Sequence, residues 1–261
     1  ERSGLIALWN GRIAVVDAAG VRPVEPGTDR YVGTPTMNSC CKHLLMGLET
    51  CMETHVGALD RVDDVWQLRD DRGRDLGVFS GVVVAVPAPQ AAPLLVAVPA
   101  LAARARGVVM EPCWAVMATV RDAWECAFDA AFVHDSRLSW IARDNSKPGR
   151  SAAIETWTLH GSAAWSRAHL ESTPEWIAEQ LTAEWRRVLG PRAPAVERME
   201  AHRWRYAIPP EPLAERFLLD TRLRLGACGD WCGGPRVEGA YLSGMGLAEA
   251  WDTARDTGSM A

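Results

Sequence analysis

The sequence has few of the features that would tie it to a membrane, a nucleic acid or an oxidising compartment. Its 261 residues carry a net charge of −5, so no positive excess favours an anionic lipid surface or a nucleic-acid backbone. Its 7 cysteines are an odd number scattered along the chain, and the first residues do not resemble a secretory signal. We therefore expect no disulfide framework and a reducing, cytoplasmic location.

No apolar stretch is long enough and regular enough to cross a lipid bilayer. The longest, residues 78–103, contains prolines at 87, 89, 93 and 99, and a lipid-exposed helix could not satisfy the backbone groups that they free. Within this stretch the sequence GVVVAVP at 81–87 is apolar and β-branched. It predicts a strand covered on both faces, followed by a loop and a short helix.

Tyrosine and phenylalanine are scarce, whereas tryptophan is common. The chain has 3 Tyr and 4 Phe against 12 Trp. A tryptophan brings a large apolar area and one N–H donor, which suits a packed core or a pocket for a planar ligand. We favour the core for most of them, because 48% hydrophobic and 23% charged residues are the balance of an ordinary globular protein.

The order of helix-like and strand-like segments predicts two interleaved domains. An α/β domain is expected at 31–95 and 208–261, in which 51–95 and 208–251 share one sheet, and a sheet with flanking helices at 1–30 and 96–207. Asn10-Gly11 predicts a β-hairpin. Apolar residues at helical spacing predict a helix over 174–189, with Ser172 or Thr173 as its cap and Gly190-Pro191 as its end.

Two cysteines in the stretch CGDWCGGPRVEGAYLSGMGLAEAW, residues 228–251, raise the question of a metal or redox site. A structural zinc ion takes four ligands, usually as two close pairs, and a redox dithiol usually has C-x-x-C spacing. Cys228 and Cys232 have three residues between them and no nearby histidine cluster. We expect them to hold no metal and to form no obligatory disulfide.

The residues around these cysteines form a strand–turn–helix pattern. An apolar strand ends at Gly229-Asp230, and Gly233-Gly234-Pro235 leads into a helix with Pro235 as its first residue. Helix N-termini attract ligand oxygens, and Asp230 could accept hydrogen bonds from ligand hydroxyls. An ordinary capped turn without a ligand remains the alternative. Small residues are expected to let the helix lie close to the sheet, namely Ala240, Gly244 and Ala248.

This stretch resembles the C-terminal flavin motif of FAD-dependent oxidoreductases of the amine-oxidase superfamily, GD…GG.VEGA..SG. The resemblance implies that Gly229-Asp230 contacts FAD, with the carboxylate on the ribityl chain. It also implies that the start of the helix approaches the pyrimidine edge of the flavin ring through Arg236, Val237 and Glu238.

Six further segments, in the same order along nearly the whole chain, look like those of bacterial renalase-like proteins: RYVGTPTMNSCCKHL, VVVAVPAPQAAPLL, EPCWAVM, DSRLSWIARDNSKPGR, ETWTLHGSAAWSRAHLE and HRWRYA. By this resemblance the backbone of Val56 contacts the adenine half of FAD, and Ala85 and Pro87 lie near the cofactor. Tyr206 is expected in the substrate pocket as the catalytic residue. The implied fold is α/β, α+β overall, with a Rossmann-like FAD-binding domain at 31–95 and 208–261 and an antiparallel-sheet substrate domain at 1–30 and 96–207.

The chain departs from the family at one point. The G-x-G-x-x-G turn that would hold the pyrophosphate is absent, and residues 244–249 do not supply it. We therefore expect this N-terminal unit to be missing from the sequence, with weak FAD binding, or none at all, as the consequence.

The implied function is oxidation of reduced nicotinamide dinucleotide isomers, with FAD as cofactor and oxygen as electron acceptor. An FAD-dependent amine oxidase and a cofactor-free binding module remain alternatives. The expected partner is a small molecule, with no nucleic acid, membrane or metal, and the oligomeric state is open. Lys147 and Arg150 are either a solvated turn or contacts to an anionic ligand. His202 has no nucleophile partner that would suggest a triad.

Overall fold

The chain folds into two compact units. The structure, a computed structural model, describes residues 4–25, 27–121, 124–151 and 153–258. One unit, unit 1, consists of Glu1–Thr50 and Pro112–Arg205, and unit 2 consists of Cys51–Glu111 and Tyr206–Ala261. These boundaries differ from the predicted ones, because residues 31–50 lie in unit 1 and residues 96–111 in unit 2. The roles assigned to the two domains remain predictions.

The strands in chain order are β1 (Ile6–Leu8), β2 (Ile13–Asp17), β3 (Gly20–Pro23), β4 (Tyr31–Gly33), β5 (Val56–Val62), β6 (Val65–Asp70), β7 (Asp75–Phe79), β8 (Val82–Val84), β9 (Glu111–Val120), β10 (Ala130–Val133), β11 (Leu138–Arg143), β12 (Glu155–Gly161), β13 (Val196–Ile208), β14 (Leu218–Asp220) and β15 (Leu225–Ala227). The helices are α1 (Ser39–Leu44), α2 (Ala88–Leu94), α3 (Pro99–Arg106), α4 (Ala163–Ala168), α5 (Pro174–Leu189) and α6 (Val237–Gly258).

Unit 1 is built on a seven-stranded sheet with the order β13-β9-β12-β11-β10-β2-β3. Its β9, β11 and β12 pair antiparallel, as expected, whereas β10 and β2 pair parallel. Helix α5 has the predicted limits, and Thr173 caps it by accepting a hydrogen bond from the Trp176 N–H. The helix buries Ile177, Leu181 and Trp185 completely, because these side chains recur on one face at helical spacing.

The predicted hairpin at Asn10-Gly11 is wrong. β1 pairs with β4, and β2 pairs with β3 through a turn after Asp17. The Trp9 N–H donates to the Arg30 carbonyl over 2.7 Å, and a Cβ on Gly11 would lie 2.5 Å from the Trp9 ring. The chain therefore folds back onto Trp9 at this point, and the strands on either side join different sheets.

Unit 2 brings distant parts of the chain into one sheet. β8 pairs parallel with β15, and β15 pairs antiparallel with β14, so residues from 51–95 and 208–251 share a sheet as predicted. The predicted strand over 81–87 is shorter, because Pro87 already begins the turn into α2. The prediction that both faces of this strand are covered is also wrong, since Val83 remains 46% exposed.

The remaining strands of unit 2, β5, β6 and β7, form a separate antiparallel sheet. Trp66 of β6 is fully buried, and its Nε1 donates to the Leu223 carbonyl over 2.8 Å. This bond fixes the second sheet beside the segment that leads into β15. Within the described part of the chain no helix is long and apolar enough to cross a membrane.

Candidate functional site

The candidate site lies where β8 and β15 end. Val84 pairs with Ala227 in parallel register, so both strands end at the same edge of their sheet. The loop at 85–87 leads from there into α2, and the loop at 228–236 leads into α6. In open α/β sheets, ligands bind outside the carboxyl ends of parallel strands. We call this region the β8–β15 edge.

Two hydrogen bonds hold these loops side by side. The Cys228 N–H donates to the Val84 carbonyl over 3.2 Å. Trp231, only 1% exposed, donates from its Nε1 to the Val86 carbonyl over 3.0 Å. The structure thus brings the loop that contains Ala85 and Pro87 next to the loop that contains Gly229 and Asp230.

The second loop depends on glycine. Gly229, Gly233 and Gly234 have φ angles of +150°, +89° and +155°, which residues with a Cβ rarely adopt. A Cβ on Gly229 would also lie 2.9 Å from the Trp231 ring nitrogen. The loop closes through hydrogen bonds from the N–H groups of Cys232 and Gly234 to the carbonyls of Gly229 and Asp230. Bare backbone therefore lines this part of the edge.

Helix α6 supports the loop through a different face from the predicted one. Ser243 is fully buried; its hydroxyl accepts from the Gly229 N–H over 3.0 Å and donates to the Arg216 carbonyl. Leu247 packs on Gly226, where an added Cβ would lie 3.0 Å from it. Around Gly244, by contrast, the space is open, and Ala248 is exposed.

The predicted ridge of Ala240, Gly244 and Ala248 is therefore offset by one residue from the face that contacts the sheet. That face consists of Gly239, Ser243 and Leu247, and a Cβ on Gly239 would clash with the Gly234 carbonyl oxygen. The sequence spacing is the same for both sets, so spacing alone does not distinguish them. The hydroxyl of Ser243 decides the orientation, because it satisfies backbone groups that the sheet and loop leave free.

The first turn of α6 is open at the β8–β15 edge. The helix begins at Val237. The prediction that Pro235 is its first residue is therefore wrong, because Pro235 lies before the helix. Arg236, Val237 and Glu238 are all exposed, Val237 by 80%. The first N–H groups of a helix have no partner within it, and its dipole makes this end positive. A ligand oxygen could accept hydrogen bonds there.

Asp230 is half-buried in the loop. Burial raises the pKa of its carboxyl group, and backbone hydrogen bonds from the N–H groups of Trp231 and Asp230 itself oppose this only in part. A carboxylate has room for about four hydrogen bonds. Its remaining acceptor capacity suits the hydroxyl groups of a ligand.

The two cysteines of the loop are not poised for chemistry. Burial raises the pKa of the Cys232 thiol to about 12, and burial also raises the pKa of Cys228. Both are free thiols, and no group of three or more potential metal ligands occurs among the residues that the structure describes. The thiolate is the form that binds metal and attacks disulfides, so the raised pKa values do not favour such chemistry, and the expectation that these cysteines hold no metal and form no disulfide remains a prediction.

Other predicted site residues lie elsewhere. Val56 opens β5 and packs against the apolar cluster of unit 2 that includes Val84 and Ala227. Tyr206 is half-buried in β13, and its catalytic role remains a prediction. Trp204 is 54% exposed, and its ring meets His202 edge-on at 4.4 Å, so this histidine packs against an aromatic ring.

Sequence reasoning missed two residues that shape the edge, Trp231 and Ser243. Neither had a decisive signal in the sequence. The partner of Trp231 is the Val86 carbonyl on the other loop, which no local pattern displays. Ser243 lies four residues from both Gly239 and Leu247, which is the spacing of one helix face, but the neighbouring face has the same spacing.

Comparison with known proteins identifies a family for most of the chain. Residues 41–250 match the protein family described as "Flavin containing amine oxidoreductase". The match includes the β8–β15 edge and most of α6.

Solved structures share the fold at low sequence identity. A putative protoporphyrinogen oxidase from Exiguobacterium sp. 255-15 superposes with a TM-score of 0.69 at 14% identity, covering 87% of this chain and 53% of its own. Cyclohexylamine oxidase from Brevibacterium oxydans gives 0.58 at 15% identity, covering 78% and 49%. An oxidoreductase from Methanosarcina mazei gives 0.53 at 14%, covering 74% and 48%. The chain thus spans about half the length of these proteins, and at this identity the likeness concerns the fold alone.

Proposed function

This chain belongs to the flavin-containing amine oxidoreductase family, and we propose that the β8–β15 edge holds the ribityl chain and pyrimidine side of its cofactor, FAD. The observation that carries the proposal is the meeting of two loops at the carboxyl ends of parallel strands, beside the open first turn of α6. Such edges are the usual ligand sites of open α/β sheets.

The residues at the edge fit the hydroxyl-bearing part of this cofactor. Asp230 has free acceptor capacity for hydroxyl groups, and the glycines of its loop leave the backbone bare for close approach. The N–H groups at 237 and 238, in the first turn of α6, can donate to carbonyl oxygens of a flavin ring. A G-x-G-x-x-G turn for the pyrophosphate does not occur in the 261 residues.

The chain's own contribution to the reaction is to bind and orient. Bound FAD supplies a ring that accepts a hydride. Asp230 fixes the position of the ribityl hydroxyls, and Val237 and Glu238 align one edge of the ring. In this proposal Ala85 and Pro87 restrict the position of the cofactor from the neighbouring loop, and Val56 contacts its adenine half by its backbone.

For the whole protein we propose that dihydro isomers of NAD(P) are the hydride donors and that oxygen is the electron acceptor. The support is the resemblance of six segments, in order, to renalase-like proteins. Trp204 and Tyr206 lie in one of these segments and Trp140 in another, and stacking on aromatic side chains favours a flat nicotinamide over an aliphatic amine. The family description favours an amine as the second candidate substrate.

A titration with FAD tests the binding proposal. Asp230→Ala should weaken FAD binding by about 1–3 kcal/mol, the cost of an unmet polar partner, as followed by flavin absorbance and fluorescence. Glu249→Ala is the matched control, because Glu249 is an exposed carboxylate on α6. Equal affinities of the Asp230→Ala variant and the unaltered protein would remove Asp230 from the site.

Anaerobic stopped-flow reduction of the bound flavin tests the substrate. We expect faster bleaching by 2- or 6-dihydro isomers of NAD(P) than by ordinary NAD(P)H or by any amine, because hydride transfer needs the donor carbon at about 3–3.5 Å from its acceptor. Tyr206→Ala should slow reduction without releasing FAD. Bleaching by an amine alone would establish the second candidate instead.

A further inference from the structure

One face of the seven-stranded sheet in unit 1 packs on α5, and the opposite face is partly open to solvent. Leu159 of β12 and Val116 of β9 are fully buried in the same apolar cluster as the side chains of α5. Side chains alternate between the two faces along a strand, so the neighbouring residues His160 and Ala115 lie on the opposite face. Met117 of that face is 42% exposed, so this side of the sheet is accessible.

The register of the strands arranges the side chains of this face in two transverse rows. The first row crosses from β2 to β9 through directly paired residues, namely Val15, Phe132, Trp140, His160 and Ala115. The second row lies beside it and consists of Ile13, Ala130, Ala142, Thr158 and Met117. Trp9 packs with the first three residues of the second row, so it covers that row over β2, β10 and β11 and leaves the part over β12 and β9 open.

The first row presents aromatic rings that a flat ligand could contact. Phe132 is 40% exposed, and its ring lies 4.7 Å from that of Trp140. Trp140 is half-buried and is paired with His160. Beyond His160 the row ends in Ala115, whose small side chain leaves space above β9. Aromatic faces favour stacking of planar groups, so this row suits a flat ring.

His160 is the titratable side chain of the first row, and its imidazole is available to a ligand. The ring has no hydrogen-bond partner among the residues that the structure describes, and the half-buried side chain keeps its nitrogens open to solvent. Burial and the nearby positive charge of Lys147 both lower its pKa from the ordinary value of 6.5, so the imidazole is neutral at pH 7. A neutral imidazole has one N–H donor and one acceptor nitrogen. It can therefore donate to the carbonyl oxygen of a ligand.

The surroundings of His160 disfavour a positively charged ligand. No side chain of either row is acidic. The charge that acts on His160 is that of Lys147, and the carboxylate of Asp144 is already paired with the Nζ of Lys147 over 3.0 Å. An ammonium group on the two rows would therefore lack a counter-ion, and a desolvated charge without a partner is costly. A neutral carbonyl group carries no such penalty.

We infer that this face of the sheet binds a flat ring that carries a carbonyl group and no positive charge, with Trp140 as the stacking surface and His160 as the donor to the carbonyl oxygen. Under the proposed function this ring is the nicotinamide, and the inference rests on that proposal for the identity of the ring alone. His160 then determines specificity, because it distinguishes a carboxamide from an ammonium group.

A ligand-observed NMR titration of the flavin-free protein tests the inference with three probes that each contain one six-membered aromatic ring. Nicotinamide carries the carbonyl group, toluene lacks it, and benzylamine carries a positive charge at pH 7. We expect saturable binding of nicotinamide that is about tenfold or more tighter than that of benzylamine. Toluene should bind more weakly than nicotinamide, because it depends on stacking alone.

Two variants separate hydrogen bonding from stacking. His160→Phe keeps a flat ring and removes the donor, so it should weaken nicotinamide binding about fivefold to tenfold and change toluene binding less than about twofold. Trp140→Leu should weaken the binding of both probes about threefold or more, because both stack on this ring. His202→Phe is the matched control, since His202 also lies beside a tryptophan, Trp204, at 4.4 Å, but outside the two rows. It should change neither affinity by more than about twofold.

Thermal unfolding checks that each variant is folded, and if His160→Phe is not, Trp140→Leu and the comparison of the three probes carry the test. Absence of saturable nicotinamide binding to the unaltered protein would overturn the inference, and so would benzylamine binding of equal strength. Equal weakening of nicotinamide and toluene by His160→Phe would overturn the role of His160, since its side chain would then only shape the face.

The result is separable from that of the proposed function, because the titration needs neither FAD nor turnover. Reduction of bound flavin by dihydronicotinamides, without binding of nicotinamide to this face, would overturn the inference and keep the proposed function. Nicotinamide binding that depends on His160, without such reduction, would support the inference and contradict the proposed substrate.

Discussion

The two units differ in what their helices contribute to the core, although buried tryptophans occur in both, with Trp66 and Trp231 in unit 2. In unit 1 the core contains Trp114, Trp157 and Trp185, each no more than 1% exposed. In unit 2 the helices contribute small residues to the core, namely Ala88, Ala91, Ala92, Ala102 and Ala105. Large side chains fill space by their own volume, whereas small ones let the backbones come close. Unit 1 should therefore be sensitive to lost volume and unit 2 to added volume.

The two units also contain carboxylates whose pKa values the fold shifts in opposite directions. In unit 1, hydrogen bonds from Arg187, together with one from Ser136, outweigh burial and lower the pKa of Glu184 to about 2. In unit 2, burial raises the pKa of Asp230. A carboxylate that the fold stabilises has a structural role, whereas one that the fold leaves poorly satisfied is a candidate for binding a ligand.

The largest effect should come from removing volume in unit 1. Trp157 is fully buried, its ring lies 5.5 Å from that of Trp185, and its Nε1 donates to Glu155 over 2.9 Å. Trp157→Ala should lower the free energy of unfolding by about 3–5 kcal/mol, through lost contacts and a cavity. Urea unfolding followed by circular dichroism measures it.

Trp204→Ala is the control, because Trp204 is 54% exposed and should cost less than about 1 kcal/mol. A loss below about 1 kcal/mol for Trp157→Ala would contradict the view that tryptophan volume holds unit 1 together.

Adding volume in unit 2 should have the next largest effect. A Cβ on Gly226 would lie 3.0 Å from the Leu247 side chain and 3.3 Å from the Leu218 carbonyl oxygen. Gly226→Ala should lower the free energy of unfolding by about 1–3 kcal/mol through overpacking. Gly244 lies in open space on α6, the helix that also contains Leu247. Gly244→Ala should instead raise the free energy of unfolding by about 0.5–1 kcal/mol, because alanine favours helix. If urea unfolding showed that both variants change the free energy of unfolding in the same direction, the assignment of the buried face of α6 would be refuted.

The sequence predicted elements with strong local signals and failed where tertiary contacts decide. Helix α5 has a cap, an apolar face and a terminal glycine, and its predicted limits agree with the structure. The hairpin at Asn10-Gly11 also had a local signal, but Trp9 and Arg30 pair instead. Likewise, the face of α6 that contacts the sheet depends on the backbone groups that Ser243 satisfies, which a single sequence does not display.

At the candidate site, resemblance was more informative than local pattern. The flavin motif drew attention to Gly229 and Asp230, and the resemblance to renalase-like proteins drew attention to the loop at 85–87; parallel pairing of β8 with β15 brings the two loops together. No local pattern could have joined them, because about 140 residues separate the two loops. Trp231 was missed for the same reason, since its partner is the Val86 carbonyl on the other loop.

The acid dependence of stability should distinguish the two kinds of carboxylate, beginning with Glu184. Its lowered pKa stabilises the fold above the ordinary value of 4.5, and this contribution is lost as the pH falls from 4.5 towards about 2. Glu184→Gln should cost about 1–2 kcal/mol at neutral pH, a value reduced because its partner Arg187 is largely exposed. Thermal unfolding from pH 7 to pH 2 should show the difference from the unaltered protein shrinking. A constant difference would mean that the charge of Glu184 does not contribute.

Asp230→Asn should have the smallest effect, and it should have the opposite sign. Because burial raises the pKa of Asp230, its charge destabilises the flavin-free protein at neutral pH, and this penalty disappears as the pH falls below the ordinary value of 3.8. Asn removes the charge and keeps the shape, so the free energy of unfolding at pH 7 should rise by about 0.5 kcal/mol, a size usual outside the core. Thermal unfolding of the flavin-free variant at pH 7 and pH 3 measures both the gain and its loss. A destabilised variant at pH 7 would place Asp230 with Glu184, as a carboxylate that the fold itself requires.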